Sequence, residues 1–563
     1  MTTDTRPIDI SNRLPFMSVT RSSFAGFLLL GVLLVALALI VFSSQHPQQI
    51  QQHAAGKTAN ITVDYTAVLR KLDPLAIGMD ISGYQTPHVF ANDTVEQQKL
   101  KALGIKYMRM NLQYATSGDP TSQIQCGVNG CMTSLPGDQW ITAIKSIGAE
   151  PVVVIPTKSA VDGANMVKHF NKDTNNPVHY WIIGNEPDIN GYSVQSYSSD
   201  FNQDYDAMKA IDPTIKIGGG TTASYDETWL QHFLQLSGTR VDFVDFHGYP
   251  QQGTTPGDTT VLLQYAVEYG KNVNSLRSVI QATVPTRANQ IGIEVGEWEL
   301  NWGGSAQDYT NFHSVWVAST LGNILKAGGW SLFFADKGNA LFMNPHTITD
   351  PYGHVVNIVP DDTNPAYHGI GMFSGEGLFQ GFGNTMVDAT TTLPNVEVFA
   401  SDNPKNIVVI NKNPSLTQNA TFSLNDVNSG TIDVWRKDEA VLFPNPPIKP
   451  GTLSLQNGTF TYQLPPFSVT TFVLHTQSGA ALTNPPSPTT TATPNPTHTP
   501  NSTSFSTTVF LHGIGKGGDN VNPSSGGNNT PLHGFAVVRE QKKRNELDML
   551  FAILQSSAII TVL

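Results

Sequence analysis

Two glutamates, Glu186 and Glu297, each end a short apolar run in the sequence. Glu186 stands in Tyr-Trp-Ile-Ile-Gly-Asn-Glu-Pro, and Glu297 stands in Ile-Gly-Ile-Glu-Val-Gly-Glu-Trp. Both runs are apolar and β-prone, which is typical of strands that are covered on both faces. In parallel α/β folds, ligands bind at the carboxyl ends of such strands. Two carboxyl groups at that place are the catalytic groups that hydrolysis of a glycosidic bond requires.

This chemistry assigns the two carboxyls different tasks. In a retaining mechanism they lie about 5–5.5 Å apart, and one attacks the anomeric carbon while the other protonates the leaving oxygen. Strand alternation predicts that Glu297 and Glu299 share one face, with Glu294 on the other. The alternative is that each glutamate is an ion-paired carboxylate at the rim of a barrel.

Composition and charge restrict the class of partner. The formal net charge is −12, and charged residues make up only 13% of the chain. No long basic stretch occurs in the part that is predicted to fold, which argues against a nucleic-acid partner. An oligo- or polysaccharide without charge is compatible with these values, whereas a polyanionic one needs a local basic pocket.

The two cysteines, Cys126 and Cys131, lie close together in Cys-Gly-Val-Asn-Gly-Cys. With no further cysteine and no nearby histidine pair, a four-ligand zinc site is implausible. A small disulfide loop is the favoured interpretation for an exported chain, and two free thiols are the alternative. The proposed chemistry requires no metal and no organic cofactor.

The N-terminal region predicts a membrane anchor. Residues 24–43 are almost entirely apolar and long enough to span a bilayer. Arginines precede this stretch, so residues 1–23 are expected to stay in the cytoplasm as a tail. We expect an uncleaved signal anchor in the cell membrane, a stalk over 44–59, and the rest of the chain outside. A cleaved signal peptide and a secreted protein are the alternative.

The pattern strand, loop, helix repeats over residues 60–383 and predicts a (β/α)8, or TIM, barrel. On this count Glu186 follows the fourth strand and Glu297 ends the seventh. The eight expected strands begin near Ala76, Lys106, Pro151, Tyr180, Ile215, Val241, Gln290 and Trp330.

The period of the apolar residues changes to two after residue 383. Residues 384–476 therefore predict a C-terminal all-β sandwich, which the strand at 60–66 could complete. Residues 477–507 are rich in Pro, Thr and Ser and predict an extended linker. Residues 508–563 resemble an incomplete or disordered module, to which the sequence assigns no function.

The motif Gly-Asn-Glu-Pro-Asp at 184–188 resembles the acid/base strand end of a large clan of retaining glycoside hydrolases with (β/α)8 barrels. In that clan the acid/base glutamate follows an asparagine on strand four, and the nucleophile ends strand seven. The resemblance therefore implies that Glu186 is the acid/base and Glu297 the nucleophile. The context Gly-Glu-Trp at Glu297 is similar to β-xylosidase-like and arabinofuranosidase-like members. The motif at 184–188 also resembles the heparanase and β-glucuronidase group, and a C-terminal β-sandwich is common in these groups.

The resemblance implies a set of residues that bind substrate. It points to Asn185, to Arg109 on strand two, and to His247 and Tyr249 after strand six. Independently of the resemblance, Trp298 is a candidate to line a sugar subsite by stacking, and packing in the core is the equal alternative. Clan members often carry a tryptophan within strand eight, where this sequence has Leu-Phe-Phe at 332–334.

Two functions remain open on the sequence alone. The first is a membrane-anchored glycosidase that cleaves plant or microbial oligo- or polysaccharides by double displacement. The second is a non-catalytic carbohydrate-binding or cell-surface protein on a barrel scaffold. Because both carboxylates are present, the sequence favours the enzyme.

Overall fold

The computed structural model describes residues 55–81, 90–119, 122–127, 130–251, 255–302, 305–334, 346–349, 355–359, 362–440 and 444–476. The predicted anchor at 24–43, the linker at 477–507 and the segment 508–563 lie outside these residues, and so do the predicted tail and most of the stalk. Within the described ranges, no helix combines the length and the apolar character needed to cross a membrane.

Strands and helices alternate through the first two thirds of the described chain, and strands alone follow. The strands are β1 (Ala55–Lys71), β2 (Ile77–Asp80), β3 (Tyr107–Tyr114), β4 (Gln123–Gly127), β5 (Gly130–Pro136), β6 (Glu150–Ile155), β7 (Tyr180–Ile183), β8 (Lys216–Thr222), β9 (Phe243–Gly248), β10 (Gly292–Trp298), β11 (Trp330–Phe334), β12 (His346–Thr349), β13 (Val355–Ile358), β14 (Thr385–Thr391), β15 (Val396–Asp402), β16 (Asn406–Asn411), β17 (Thr417–Asn425), β18 (Ser429–Lys437), β19 (Ile448–Gln456), β20 (Thr459–Leu464) and β21 (Ser468–Thr476). The α-helices are α1 (Thr94–Ala102), α2 (Gly137–Ser146), α3 (Ala160–Lys168), α4 (Val194–Ile211), α5 (Glu227–Ser237), α6 (Thr259–Thr283), α7 (Asn311–Ala327) and α8 (Pro365–Ser374).

The first domain is a closed barrel of eight parallel strands, as the sequence predicts. Its strand order is β2, β3, β6, β7, β8, β9, β10 and β11, and β11 pairs with β2 in parallel to close it. The hairpin β4–β5 extends from β3, and its register places Cys126 opposite Cys131. The predicted disulfide between these two residues stays a prediction.

The interior of the barrel is filled with side chains near the beginnings of its strands. Residues from five of the barrel strands, β3, β6, β7, β9 and β11, form one buried cluster of Tyr107, Val152, Val154, Ile182, Phe243 and Leu332. Gly218 leaves the room that the Phe243 ring occupies, since a Cβ atom at that glycine would lie 2.2 Å from the ring. The barrel is therefore a packed core, and only its ends are open to ligands.

The second domain is all-β, as the sequence predicts, and its strands pair into a closed ring. The order is β1, β14, β15, β16, β21, β18, β19, β20 and β17, and β1 pairs with both β14 and β17. Strand β1 comes from the start of the described chain. Because it pairs with β14 on one side and β17 on the other, it covers two strand edges that would otherwise stay open. Stacked rings of Phe422 and Phe460, 4.1 Å apart, lie in the core of this ring.

Helix α7 lies between the two domains and is buried along almost its whole length. Gly322 on this helix lies close to the ring of Phe399 on β15, and Phe312 packs edge-on against Phe467, with ring centres 5.8 Å apart. Burial on all sides is expected of a helix that is covered on both faces. The contacts of α7 therefore join the barrel to the β-domain.

Candidate active site

The end of β7 presents Glu186 at the open end of the barrel. Gly184 follows the strand with φ of 84°, and Glu186 itself has φ of 46°, a conformation that non-glycine residues seldom adopt. The Glu186 amide donates to the carbonyl of Thr221 at 2.8 Å, which fixes this turn to the end of β8. Strained backbone of this kind is held by its surroundings and is often found at functional sites.

A β-bulge on β10 sets the direction of Glu297. The pairing of β10 with β9 shifts between Val295 and Glu297, so one extra residue enters the strand there. Gly296 makes room for the bulge, because a Cβ atom at this position would lie 2.3 Å from Oδ1 of Asp245. The bulge interrupts the alternation of sides at the point where the strand reaches the open end of the barrel.

The predicted faces of the three glutamates on this strand are therefore wrong. Glu294 and Glu297 both interact with the barrel residue Arg109, Glu294 from deeper in the interior. Glu299 turns away from the site and forms an ion pair with His313 on α7. The bulge adds one residue between Glu294 and Glu297, so these two side chains lie on the same face, whereas simple alternation places them on opposite faces.

The carboxylates of Glu186 and Glu297 meet across the open end of the barrel. Each offers an oxygen to a group, completed by His247, whose atoms all lie within 4.8 Å of one another. Retaining glycosidases hold their carboxyls about 5–5.5 Å apart, whereas inverting ones leave about 6.5–9.5 Å for a water molecule. The separation in this barrel fits the retaining geometry.

Arg109 organises the site from strand β3. Its Nη1 donates to the carboxylates of Asp80 and Glu297, and its Nη2 donates to Oδ1 of Asn185. Burial opposes its charge, but Asp80 and Glu297 outweigh burial and raise the pKa of Arg109 well above its usual value. The guanidinium therefore stays charged and fixes three side chains from three different strand ends.

His247 and Tyr249 complete the surroundings of the two glutamates. Nδ1 of His247 lies 3.2 Å from Oε1 of Glu186 and 3.5 Å from Oε2 of Glu297. The Tyr249 hydroxyl donates to Oε2 of Glu297 at 2.7 Å. Its ring packs edge-on against Phe334 at the end of β11, with ring centres 5.7 Å apart. Both residues thus contact the carboxylates that the sequence singled out.

The protonation of His247 and Tyr249 follows from their neighbours. Burial opposes the imidazolium, but Glu297, Asp245 and Glu186 outweigh it and raise the pKa of His247 well above its usual value. Burial and the nearby charge of Glu297 raise the pKa of Tyr249 well above its usual value. His247 is therefore a cationic donor, and Tyr249 is a neutral donor, near neutral pH.

Two aspartates support this arrangement and were not predicted as site residues. Asp245 is fully buried, and its Oδ2 lies 3.5 Å from Nε2 of His247. Asp80, also fully buried, binds Arg109 at the end of β2. The spacing Asp-Phe-His at 245–247 contains the signal for the first, because residues two apart on a strand point to the same side.

Trp298 does not contact the site, so the predicted sugar stacking by this residue is wrong. Its side chain is fully buried, its Nε1 donates to Oγ of Ser331 at 3.0 Å, and its ring packs against Phe333 and Trp316. The bulge turns Glu297 inward and leaves the next residue pointing out, into the layer between strands and helices. Trp302 is 47% exposed beyond β10, at the same end of the barrel as the glutamates.

Glu186, His247 and Glu297 are the described residues whose side chains could together hold a metal ion. The same space already contains two cationic groups, the guanidinium of Arg109 and the imidazolium of His247. A metal ion would have to displace both from the carboxylates. The donor set therefore fits acid–base and nucleophilic chemistry better than metal binding.

The closed parallel barrel, with its carboxylates on the fourth and seventh strands, belongs to the (β/α)8 fold class. No family model matches the sequence, and no curated protein matches it significantly. The solved structures with this fold include many glycoside hydrolases.

Three of these structures illustrate the likeness. An α-L-arabinofuranosidase from Thermotoga maritima is 16% identical with a TM-score of 0.60, and the match covers 74% of this chain and 100% of that one. A bifunctional glucanase-xylanase from a metagenome library is 16% identical with a TM-score of 0.57, covering 75% and 100%. A Paenibacillus polymyxa xyloglucanase of glycoside hydrolase family 44 is 14% identical with a TM-score of 0.57, again covering 75% and 100%. The predicted resemblance is confirmed at the level of the fold.

Proposed function

We propose that this protein is a retaining glycoside hydrolase with Glu297 as nucleophile and Glu186 as acid/base. The observation that carries the proposal is the pair of carboxylates within 4.8 Å at the open end of the barrel. This separation leaves no room for a water molecule between the sugar and Glu297, as an inverting mechanism would need.

The first step forms a covalent glycosyl-enzyme. The Glu297 carboxylate, held by Arg109 and Tyr249, attacks the anomeric carbon while the bond to the leaving oxygen breaks. Glu186 supplies a proton to that oxygen, so the leaving sugar departs as a neutral alcohol. Fixed donors around Glu297 hold it in the attacking position before the substrate arrives.

The second step releases the sugar by hydrolysis. Glu186, now ionised, takes a proton from water, and the water oxygen attacks the anomeric carbon as the bond to Glu297 breaks. The side-chain amide oxygen of Asn185 accepts from Arg109. The two N–H donors of the Asn185 amide therefore point away from Arg109. These donors suit the 2-hydroxyl of the sugar, a contact that strengthens in the transition state.

The substrate class is a plant or microbial oligo- or polysaccharide. Support comes from the structural neighbours, which are an arabinofuranosidase, a glucanase-xylanase and a xyloglucanase. The apolar stretch 24–43 supports a location on the outer side of the cell membrane, where such polymers are found.

Hydrolysis of aryl glycosides tests the activity and names the sugar. The panel contains xyloside, arabinofuranoside, glucoside, glucuronide and galactoside, and the protein begins at residue 55 so that β1 is complete. Glu186→Ala is expected to lower the rate by about 10²–10⁴-fold, and Glu297→Ala to abolish it. Glu268→Gln, at an exposed ion pair with Lys271 on α6, is the matched control.

Azide then separates the two roles. With Glu186→Ala, azide should release a glycosyl azide with the configuration of the substrate, since it attacks the covalent intermediate. With Glu297→Ala, azide should give the inverted product, since it attacks the substrate directly. Unchanged rates in both variants would contradict the proposal. If the protein binds a glycan but cleaves none, the carbohydrate-binding alternative is favoured.

A further inference from the structure

A second cavity lies at the end of the barrel opposite to the glutamates. Its volume is about 360 Å³, and its walls are the first residues of several barrel strands together with the end of β1. Four cationic side chains line it, Arg70, Lys71, Lys216 and Arg277, against two acidic ones, Asp73 and Asp242. In barrels of this fold the activity resides at the other end, so this cavity is separate from the site described above.

Among the described residues, Arg70 has no anionic partner in this cavity. Its Nε is buried and has no hydrogen-bond partner, and no ion pair of Arg70 occurs within the described residues. Its Nη1 packs against Gly328, where a Cβ atom would lie 1.8 Å away. Burial lowers the pKa of Arg70, and no carboxylate opposes this effect. An uncompensated, partly buried cation of this kind is costly for the folded state.

Arg277 brings a second guanidinium to the same cavity from α6. Its Nη1 donates to the carbonyls of Ala288 at 2.7 Å and Ile291 at 2.8 Å, which fixes the side chain in place. Burial and the charge of Arg70 lower the pKa of Arg277. Two guanidiniums are thus held near each other, although their charges repel.

The acidic residues of the cavity do not neutralise this pair. Asp242 is engaged by Lys209 at 3.0 Å, and Lys216 and Arg287 each lie 3.8 Å from it. Asp73 accepts from the amide of Leu75 at 2.9 Å, and neither arginine pairs with it in the described chain. The cavity therefore keeps an excess of positive charge.

We propose that this cavity binds a small oxyanion, such as a phosphate or a carboxylate group, between Arg70 and Arg277. Guanidinium groups bind both kinds of anion through paired N–H donors, and each bond to a charged partner is stronger than a neutral one. The bound anion accepts from the guanidinium group of Arg70, which lines the cavity, and offsets the repulsion between the two arginines. The volume admits an inorganic phosphate or a single uronic acid. The site is independent of the proposed hydrolytic activity.

Calorimetric titration of the full chain at low ionic strength tests the site. Inorganic phosphate and glucuronate are the two probes, and they distinguish a free phosphate from the carboxylate of an acidic sugar. We expect the wild-type protein to bind at least one of them with a Kd below about 1 mM. Arg70→Gln should weaken that binding by about 10- to 100-fold, which is the loss of affinity expected when one hydrogen bond to a charged group is removed.

The controls separate this site from other basic residues and from the hydrolytic site. Arg240→Gln removes the same charge from an exposed pair with Asp206 and should leave binding unchanged. Glu297→Ala should also bind the probe as the wild type does, because it alters only the opposite end of the barrel. Binding lost in Arg240→Gln to the same extent as in Arg70→Gln would show a general charge effect and overturn the proposal.

Chemical modification gives a second test that needs no variant. Phenylglyoxal modifies accessible arginines, and peptide mass spectrometry reports each position. The bound anion should protect Arg70 and Arg277 but not Arg240. The proposal fails if neither probe binds the wild-type protein, or if modification of Arg70 and Arg277 is the same with and without the anion.

Discussion

Arg109 donates through one nitrogen, Nη1, to the carboxylates of both Asp80 and Glu297, and all three residues are buried. The guanidinium is thus shared between a residue that takes no part in the proposed chemistry and the proposed nucleophile. Asp80 balances the charge of Arg109 and keeps it in place, so that its remaining donors reach Glu297 and Asn185. The position of the nucleophile therefore depends on a carboxylate at the end of β2.

Asp80→Asn should lower the free energy of unfolding by about 3 kcal/mol, because it leaves a buried guanidinium with one anionic partner fewer. Urea denaturation measures the change. Asp206→Asn, which breaks the exposed pair with Arg240, should change stability by no more than about 1 kcal/mol. Equal effects of the two substitutions would show that the buried charge at Arg109 is not specially balanced by Asp80.

Tyr249→Phe should reduce kcat by about 10- to 100-fold while KM changes little. The substitution removes the hydroxyl that donates to Oε2 of Glu297 but keeps the ring that packs on Phe334. A hydrogen bond to a charged group contributes about 1.5–3 kcal/mol, and each 1.4 kcal/mol is a factor of ten in rate. Steady-state kinetics on the best substrate of the panel gives both constants. A rise in KM alone would mean that Tyr249 binds sugar and does not position the nucleophile.

Asp245→Asn should lower the pKa of His247, because it removes a carboxylate 3.5 Å from Nε2. In the wild-type protein that pKa is raised, so His247 should remain protonated at a pH where an exposed histidine is neutral. Histidine-selective NMR over a pH series follows the titration, and His247→Gln identifies the resonance by its loss. If the titration of His247 does not move in Asp245→Asn, the aspartate does not hold the imidazolium.

The sequence predicted the barrel well, because each buried strand is a separate apolar run bounded by turn residues. Counting these runs was enough to bring Glu186 and Glu297 to the same end of the barrel. The side chains after Val295 were not predictable by alternation, because the bulge depends on the contact of Gly296 with Asp245 on another strand. The strand at 60–66 was expected to complete the β-domain, and β1 does pair with β14 and β17 there. Its parallel pairing with β17, which closes the ring, is a long-range contact that the local pattern does not indicate.

Gly296→Ala should reduce both stability and activity. Its new Cβ atom would meet Oδ1 of Asp245 at 2.3 Å, so either the bulge or the aspartate must shift. Overpacking of a buried position costs about 1–3 kcal/mol, and a displaced Glu297 would lose its contact with Tyr249. Gly451→Ala is the matched control, because a Cβ atom there meets nothing within 4 Å. Thermal denaturation and the rate of hydrolysis should both distinguish the two variants.

The ion pair between His313 and Glu299 should make stability fall between about pH 6.5 and pH 9. Burial opposes the charge of His313, but Glu299 and Asp308 outweigh it and raise the pKa of His313 to about 9. The folded state therefore keeps a proton that the unfolded state has released in this range, so the contribution is full below pH 6.5 and is lost as the pH approaches 9. It is on the order of 3 kcal/mol, because each unit of pKa difference corresponds to about 1.4 kcal/mol.

Urea denaturation of the wild type and of Glu299→Gln at several pH values tests this dependence. The pair joins the end of β10 to α7, so the wild type should be the more stable protein at pH 6. Its advantage over Glu299→Gln should shrink steadily as the pH rises to 9, because His313 then loses its proton in the wild type as well. A constant difference between the two proteins across this range would mean that His313 is neutral in the folded state and that the contact is an ordinary hydrogen bond.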